Sequence, residues 1–210
     1  MAKGLLLVAF DFTNAHEDEF HDWYDLEHIP ERQRIPGFGL CERWISAANP
    51  KQAIASYDLA GLPVLASAPY LAIAHENLSP WSKRVAPMCT RLLRFEGEQT
   101  LPGDADSPSG AGGLLVNAMN VTPEREAEFN EWYDHEHIPS LAAVPDVLSA
   151  RRFRDAKGTH RYLALYHLQS PEVPAGAAWK AAASSEWTER LRPHFRDHVR
   201  ILARRYMRGG

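Results

Sequence analysis

Near the middle of the chain, Glu128-Phe129-Asn130-Glu131-Trp132-Tyr133-Asp134-His135-Glu136-His137-Ile138-Pro139 restates a stretch that began at Glu19. The earlier copy reads Glu19-Phe20-His21-Asp22-Trp23-Tyr24-Asp25-Leu26-Glu27-His28-Ile29-Pro30. The copies lie 109 residues apart, and between 19–45 and 128–154 no gap is needed to match 11 of 27 positions. Unrelated sequences of average composition would share roughly two. The chain is a tandem duplication, and this constrains its fold more than any local propensity does: it must build one small unit twice.

The remaining pattern describes that unit. Leu5 to Phe12 is a short apolar run, apolar in both alternating phases, which predicts a strand covered on both faces. Thr13 or Asn14 is placed to cap the helix that carries the first motif, and that helix is expected to stop near His28, because Ile29 precedes Pro30. Strands follow at 38–46 and 53–59, then an Ala- and Leu-rich helix over 64–78 with Trp81 near its end, then a strand over 90–98. The second half repeats the order: strand 114–121, a helix start at Thr122-Pro123-Glu124, strands 147–154 and 161–168, a helix over 175–191, and a strand over 199–206. Trp187 and Arg190 answer Trp81 and Arg84. Each half is β-α-β-β-α-β, the ferredoxin-like order. The expected organisation is a first repeat over 1–98, a flexible Gly/Pro/Ser-rich linker over 99–113 with no core of its own, and a second repeat over 114–210.

A four-stranded sheet with both helices on one face leaves its other face open. Packing two such sheets face to face covers both and is expected to enclose a space between them. The fold class expected is α+β: two ferredoxin-like repeats packed sheet to sheet as a barrel-like sandwich within one chain, with the helices outside.

Composition excludes several functions. A net charge of −4 leaves no basic surface for nucleic acid, and no apolar run is long enough to span a bilayer. The start of the chain lacks a signal-peptide pattern, and two cysteines, Cys41 and Cys89, make no disulfide framework, so a cytoplasmic protein with structural cysteines is expected. No glycine-rich phosphate loop or G-x-S-x-G elbow is present.

The repeated motif carries the chemistry. On a helix, Phe20, Trp23, Tyr24, Glu27 and His28 form one stripe, as do Phe129, Trp132, Tyr133, Glu136 and His137. The aromatics make that stripe core-facing, yet its last turn holds a carboxylate and an imidazole, whose burial costs several kcal/mol without partners. Such a conflict is expected at a functional site. His28 or His137 is a candidate acid/base, and Tyr24 or Tyr133 a group that orients it or binds a substrate oxygen. The competing reading gives the histidines a helix-capping role, with Glu27 or Glu136 bonded to backbone amides; for Trp23 and Trp132 core packing competes with ligand contact. Arg43 and Arg152 match between the halves, as do Tyr57 and Tyr166, and Asn117, Asn120 and His167 interrupt strands of the second half. Arginine or tyrosine facing a pocket would suit a carboxylate, enolate or phenolate. A metal held by His21, Asp25 and His28 is disfavoured, because the second copy replaces His21 by Asn130 and the spacing is no known zinc signature.

The motif, duplication and element order together resemble the dimeric α/β-barrel superfamily and, more narrowly, EthD-like domains, which often carry a tyrosine followed four residues later by His-x-Pro. Tyr24 with His28-Ile29-Pro30 and Tyr133 with His137-Ile138-Pro139 carry that resemblance. The barrel is usually built from two chains; here both halves are fused. The resemblance implies a small, mostly apolar pocket between the sheets and a small hydrophobic or aromatic ligand. It also implies a cofactor-free lyase or isomerase acting on an aromatic, lactone or polyketide-like compound, with the helix-end histidine as acid/base, a role that falls on His28 and His137 only. The residues themselves add Tyr24 or Tyr133 as the group that orients the substrate, and Glu27, Glu136, Trp23, Trp132, Arg43, Arg152 and Asn117 as candidate binding residues. A non-catalytic ligand-binding or stress-response module, a cofactor-free monooxygenase and a haem-binding protein are the alternatives, and a homodimer of whole barrels is compatible with the sequence.

Overall fold

The computed structural model describes residues 2–208 apart from Ala156. In chain order, strand β1 (Gly4–Asp11) leads into a long helix in three parts: α1 (Glu17–Asp22), a π-helical segment (Trp23–His28) and α2 (Ile29–Gln33). Strands β2 (Phe38–Ser46) and β3 (Gln52–Leu59) follow, then short helices α3 (Ala68–Leu71) and α4 (Pro80–Val85), then β4 (Thr90–Leu101). The second repeat runs β5 (Gly113–Val121), α5 (Glu126–Trp132), a π-helical segment (Tyr133–His137), α6 (Ile138–Ala142), β6 (Val147–Arg154), β7 (Tyr162–Leu168), α7 (Ala177–Ala182), α8 (Glu186–Leu191) and β8 (Phe195–Arg205).

All eight strands close into one antiparallel barrel in the order β1-β3-β2-β8-β5-β7-β6-β4. Two seams join the repeats: β2 with β8 through Trp44 and Arg205, and β4 with β6 through Glu98 and Arg154. Each repeat alone would expose two edge strands, and closure pairs all four.

The strand phases separate two layers. Leu5, Leu7 and Ala9 of β1 point into the barrel beside Trp44, Phe95, Phe153, Leu163 and Leu165. Leu6 and Val8 point outward, beneath the helix that carries Phe20, Trp23 and Tyr24. The barrel interior is thus packed with side chains, and the expected hollow between the sheets is not there. Eight strands make a barrel whose interior is just wide enough for its own side chains to fill.

That interior also holds charges arranged with a sign reversal. Arg151 donates to Asp58 at 3.1 Å and to Ser107 Oγ at 2.5 Å, with Arg151 and Asp58 both buried. At the positions related by duplication, 109 residues away, Glu42 answers Arg151 and His167 answers Asp58. Glu42 lies 3.6 Å from His167 and 2.9 Å from Arg205. Each pair crosses between repeats, and each repeat contributes one sign: carboxylates from the first, cationic types from the second.

Three local expectations change. The segment 99–113 is tied down: its start extends β4, Ser107 N–H donates to Asp58 at 2.7 Å, Gln99 and Arg151 donate to the Ala105 carbonyl, and Ala111 is fully buried in the barrel core. The helix expected over 64–78 is broken into α3 and short turns, in a stretch where Pro63, Pro69 and Pro80 each open a new piece, and the helix expected over 175–191 breaks at Ala183. Helix α1 begins at Glu17 with no side-chain cap from Thr13 or Asn14, and Thr122 likewise makes no side-chain cap. Among the described residues no helix is long and apolar enough to cross a membrane.

Candidate functional site

The motif helix does not stop at His28. Pro30 has no N–H for an α-helical bond, and its ring would press on the carbonyl four residues back. The chain avoids both by widening: the Ile29 N–H donates to the Tyr24 carbonyl, five residues back, and the Ile138 N–H does the same to Tyr133. The expected stop is therefore replaced, twice, by a π-helical turn, a feature frequent at functional sites. The wider turn packs His28 against both preceding aromatics, its ring 4.6 Å from Trp23 and tilted to it, and 5.1 Å from Tyr24 and edge-on; His137 stacks on Trp132 at 4.2 Å and lies edge-on to Tyr133 at 5.2 Å.

The other polar residues of the motif bind the fold together. Glu27 accepts from Ser79 Oγ at 2.5 Å and Ser82 Oγ at 3.3 Å, while Trp23 Nε1 donates to Ser82 Oγ at 2.9 Å. In the second repeat Glu136 accepts from Ser185 Oγ at 2.5 Å, and Trp132 Nε1 donates to Thr188 Oγ1 at 3.2 Å. Ser79 and Ser185 in turn cap α4 and α8. Asp25 accepts from Arg43 at 2.5 Å and Asp134 from Arg152 at 2.8 Å, and each guanidinium lies 4.5 Å from the ring centre of Tyr24 or Tyr133. Arg43 has only donors, so His21 Nδ1, 2.8 Å away, is the acceptor. The structure thus puts Glu27, Glu136, Arg43 and Arg152 to use as clasps between elements, where sequence reasoning expected substrate contacts. His21 and Asp25 meet at Arg43, whereas His28 turns the other way.

His28 turns towards a cavity of about 370 Å³ between the outer face of the first repeat's sheet and its helices. Its floor is Leu6, Val8, Phe10 and Tyr57 from the sheet; Trp23, Tyr24 and Arg32 line it from the motif helix; Tyr70, Ala74, His75 and Leu78 lie across it; Arg91 and Arg94 stand on β4. The imidazoles border this layer, beneath the helices, and the expected position between the sheets is corrected accordingly. His28 Nδ1 and the Tyr57 hydroxyl are buried without a partner among the described residues. Burial, reinforced by Arg32, Arg43 and Arg94, pushes His28 well below the ordinary histidine range, so its ring is neutral at pH 7. Burial raises Tyr24 and Tyr57, so both phenols stay protonated. Arg32 is ion-paired with Glu31 at 2.8 Å, and Arg94 with Glu96, its guanidinium also 3.3 Å from the Tyr70 hydroxyl.

At the matching place in the second repeat apolar groups close in, and two of them, Trp179 and Phe195, are larger than their counterparts. Leu141 stands where the first repeat has Arg32, Met119 where it has Phe10, Trp179 where it has Tyr70, and Phe195 where it has Cys89. Leu141, Met119 and Trp179 are buried in one cluster with Trp132, Tyr133 and Tyr166, and Phe195 packs against it. Asn117 replaces Val8 there, its Oδ1 buried without a partner among the described residues. Burial, then Arg152, lowers His137 to about 4, and burial raises Tyr133 to about 12.

No family model matches the chain, and no curated protein sequence matches it significantly. Solved structures do. A protein provisionally assigned as a chlorite dismutase superposes with a TM-score of 0.66 at 14% identity, covering 99% of this chain and 96% of its own. An anthrone oxidase-like protein gives 0.61 at 12% identity over 97% and 92%, and a protein from Fusobacterium nucleatum thought to be a monooxygenase gives 0.60 at 10% over 100% and 96%. The chain has the dimeric α/β-barrel fold, with both halves in one polypeptide. At these identities the likeness is one of fold.

Sequence reasoning missed the residues that give the first cavity its character. Arg32, Arg91, Arg94 and Tyr70 lie outside the repeated motif; the mismatch of Arg32, Arg91 and Tyr70 with Leu141, Asp197 and Trp179 is the signal that could have found three of them, whereas Arg94 is matched by Arg200. A haem, one of the alternatives implied by the resemblance, can be tested against this geometry. About 370 Å³ is near the lower limit for small-molecule sites. The His28 ring lies against Trp23 and Tyr24, whose rings occupy space a macrocycle on that imidazole would need. The cavity does not fit a haem.

Proposed function

We propose that the first-repeat cavity binds a small aromatic or polyketide-like ketone and that His28 takes a proton from it. The observation that carries this is the meeting, in one largely apolar cavity, of a neutral imidazole with three guanidinium groups and a phenol unpartnered among the described residues. The lowered basicity of His28 restricts it to acidic C–H or O–H groups, such as a methylene between aromatic rings and next to a carbonyl. Loss of that proton leaves an enolate or phenolate, which Arg94 or Arg32 would hold by charge and Tyr57 or Tyr24 by hydrogen bonding.

Two outcomes share this first step. In the lyase or isomerase reading, the imidazolium returns the proton at another carbon or to a departing group. In the monooxygenase reading, the anion reacts with dioxygen: the methylene loses two hydrogens, one oxygen atom becomes its carbonyl and the other leaves as water. Similarity to an anthrone oxidase-like protein and to a protein thought to be a monooxygenase supports the second outcome as strongly as the motif supports the first. In both readings the protein uses no haem, and a Soret band in the purified protein would contradict that part.

Anthrone in deuterated water tests the shared step. Wild-type protein should accelerate hydrogen exchange at its methylene, and oxygen uptake in the same sample separates the two outcomes. His28→Gln should lower exchange by about two orders of magnitude or more. Unchanged exchange in a folded variant would remove His28 from the mechanism. The rate should stay flat from pH 8 to below pH 6 and fall only as His28 takes up its proton, well under its usual range.

A further inference from the structure

A second, more open cleft of about 610 Å³ adjoins the cavity, and Arg91 and Arg94 line both. The fold makes this doorway with a register shift. β1 and β4 pair Ala9 with Leu93 but Phe10 with Arg91, so Leu92 is an extra residue. Leu93 points into the barrel core. Without the bulge Arg91 would share that phase; with it, Arg91 joins Phe10 and Arg94 on the helix side.

The charges around the doorway are unevenly satisfied. Arg94 is engaged by Glu96 and Tyr70. Asp155, on the far wall, accepts from the backbone amides of Lys157 and Gly158. Arg91 is exposed and makes no ion pair or hydrogen bond among the described residues, and Lys157 across the cleft makes no ion pair there either. The carboxylates in the cleft are therefore spoken for, while two cations are not. The duplication sharpens the point: Arg91 corresponds to Asp197, which accepts from Asn120 at 2.8 Å beside the filled site of the second repeat. A free cation at this position belongs to the repeat with the cavity.

We infer that the ligand of the cavity carries a carboxylate on an arm that reaches the outer cleft, and that Arg91 pairs with it at the doorway. This rests on the reading of the cavity as an aromatic-binding site. It makes Arg91 a specificity-determining residue, remote from the proton that His28 takes. A planar fork that meets a carboxylate through two parallel N–H donors suits this role better than a point charge would.

Titration calorimetry with 3-(anthracen-9-yl)propanoic acid and its primary amide tests it, since both carry the polar group on a short arm. The two probes share a ring system and differ in charge. Wild-type protein should bind the acid about tenfold more tightly than the amide, and the preference should shrink as salt is added. Arg91→Ala, which breaks no side-chain hydrogen bond or ion pair among the described residues, should bring the two affinities together by weakening the acid alone. Equal affinities in the wild type would overturn the inference and leave the aromatic site standing. A preference that survives Arg91→Ala would also overturn it. Binding of neither probe would overturn the aromatic site and the inference with it.

Discussion

The two repeats present the same helix motif in the same π-helical turn, with the same clasps around it, and differ in what lies beneath. Under the first are Arg32, Tyr70, Phe10 and an open cavity; under the second are Leu141, Trp179 and Met119, with Phe195 packed alongside. The motif alone therefore does not make the site. Among the described residues both copies leave a ring nitrogen and a tyrosine hydroxyl buried without a partner, at His28 with Tyr57 and at His137 with Tyr166, so orphaned polar atoms do not distinguish them. The cavity does, together with Arg32 and Arg91, whose counterparts are Leu141 and Asp197. Duplication in one chain frees the two copies to separate in this way, one retaining space for a ligand and the other converting that space into core.

The repeats also differ inside the barrel, where one supplies carboxylates and the other their cationic partners, and breaking that asymmetry should have the largest effect. Arg151→Met leaves Asp58 buried without its ion pair and should cost about 3–5 kcal/mol in urea unfolding. A loss under about 1 kcal/mol would mean that the crossed pairs do not hold the repeats together. Two copies of the first repeat would set the Glu42 and Asp58 carboxylates against each other, and two of the second would leave Arg151 facing His167 with no carboxylate, so the arrangement favours pairing of unlike halves.

Acid should expose the filled repeat next. The folded value of His137, about 4, lies below its unfolded value of 6.5. Between those values the unfolded chain binds the proton more readily, so this contribution to stability is intact above pH 6.5 and lost as pH falls towards 4. At 1.36 kcal/mol per unit the loss is about 3 kcal/mol. His28 should add to the loss over the same descent, since its folded value is also depressed. Denaturant midpoints at pH 7 and pH 4.5 for wild type and His137→Leu check this, and the variant should lose less on acidification.

Catalysis should separate the copies where stability does not. His137→Gln should leave anthrone exchange within about twofold of wild type, against the loss of about two orders of magnitude in His28→Gln. Comparable losses in both would mean that the second site is alive. A smaller effect should follow from making the first repeat resemble the second: Tyr70→Trp, which copies Trp179, should weaken binding of the anthracene probes severalfold with a stability change under about 1.5 kcal/mol.

Much of the architecture was legible because it is written twice. The repeat of 27 aligned positions, the two-phase apolar run of β1 and the order of elements lead to a pair of ferredoxin-like units and to their closure. The location of the hollow was not legible. Both faces of β1 are apolar, and nothing in the alternation says that Leu5 and Leu7 meet a packed interior while Leu6 and Val8 floor a cavity. Pro30 and Pro139 read as helix stops because proline usually is one; a π-helical turn evades the rule, and its sequence signal is little more than the proline itself. Glu27 and Arg43 read as site residues because buried charge without a visible partner suggests function. Their partners, Ser79 and Asp25, lie on another element or on the exposed side of the motif, and pairing across elements becomes visible only when the chain is folded.

Histidine ring NMR during titration with an aromatic probe tests the central claim most directly. With 3-(anthracen-9-yl)propanoic acid, the account predicts that the ring signals of His28 shift in a saturable way while those of His137 stay in place. Shifts at His137, or saturation of binding with His28 unmoved, would contradict a site housed under the first repeat's helix.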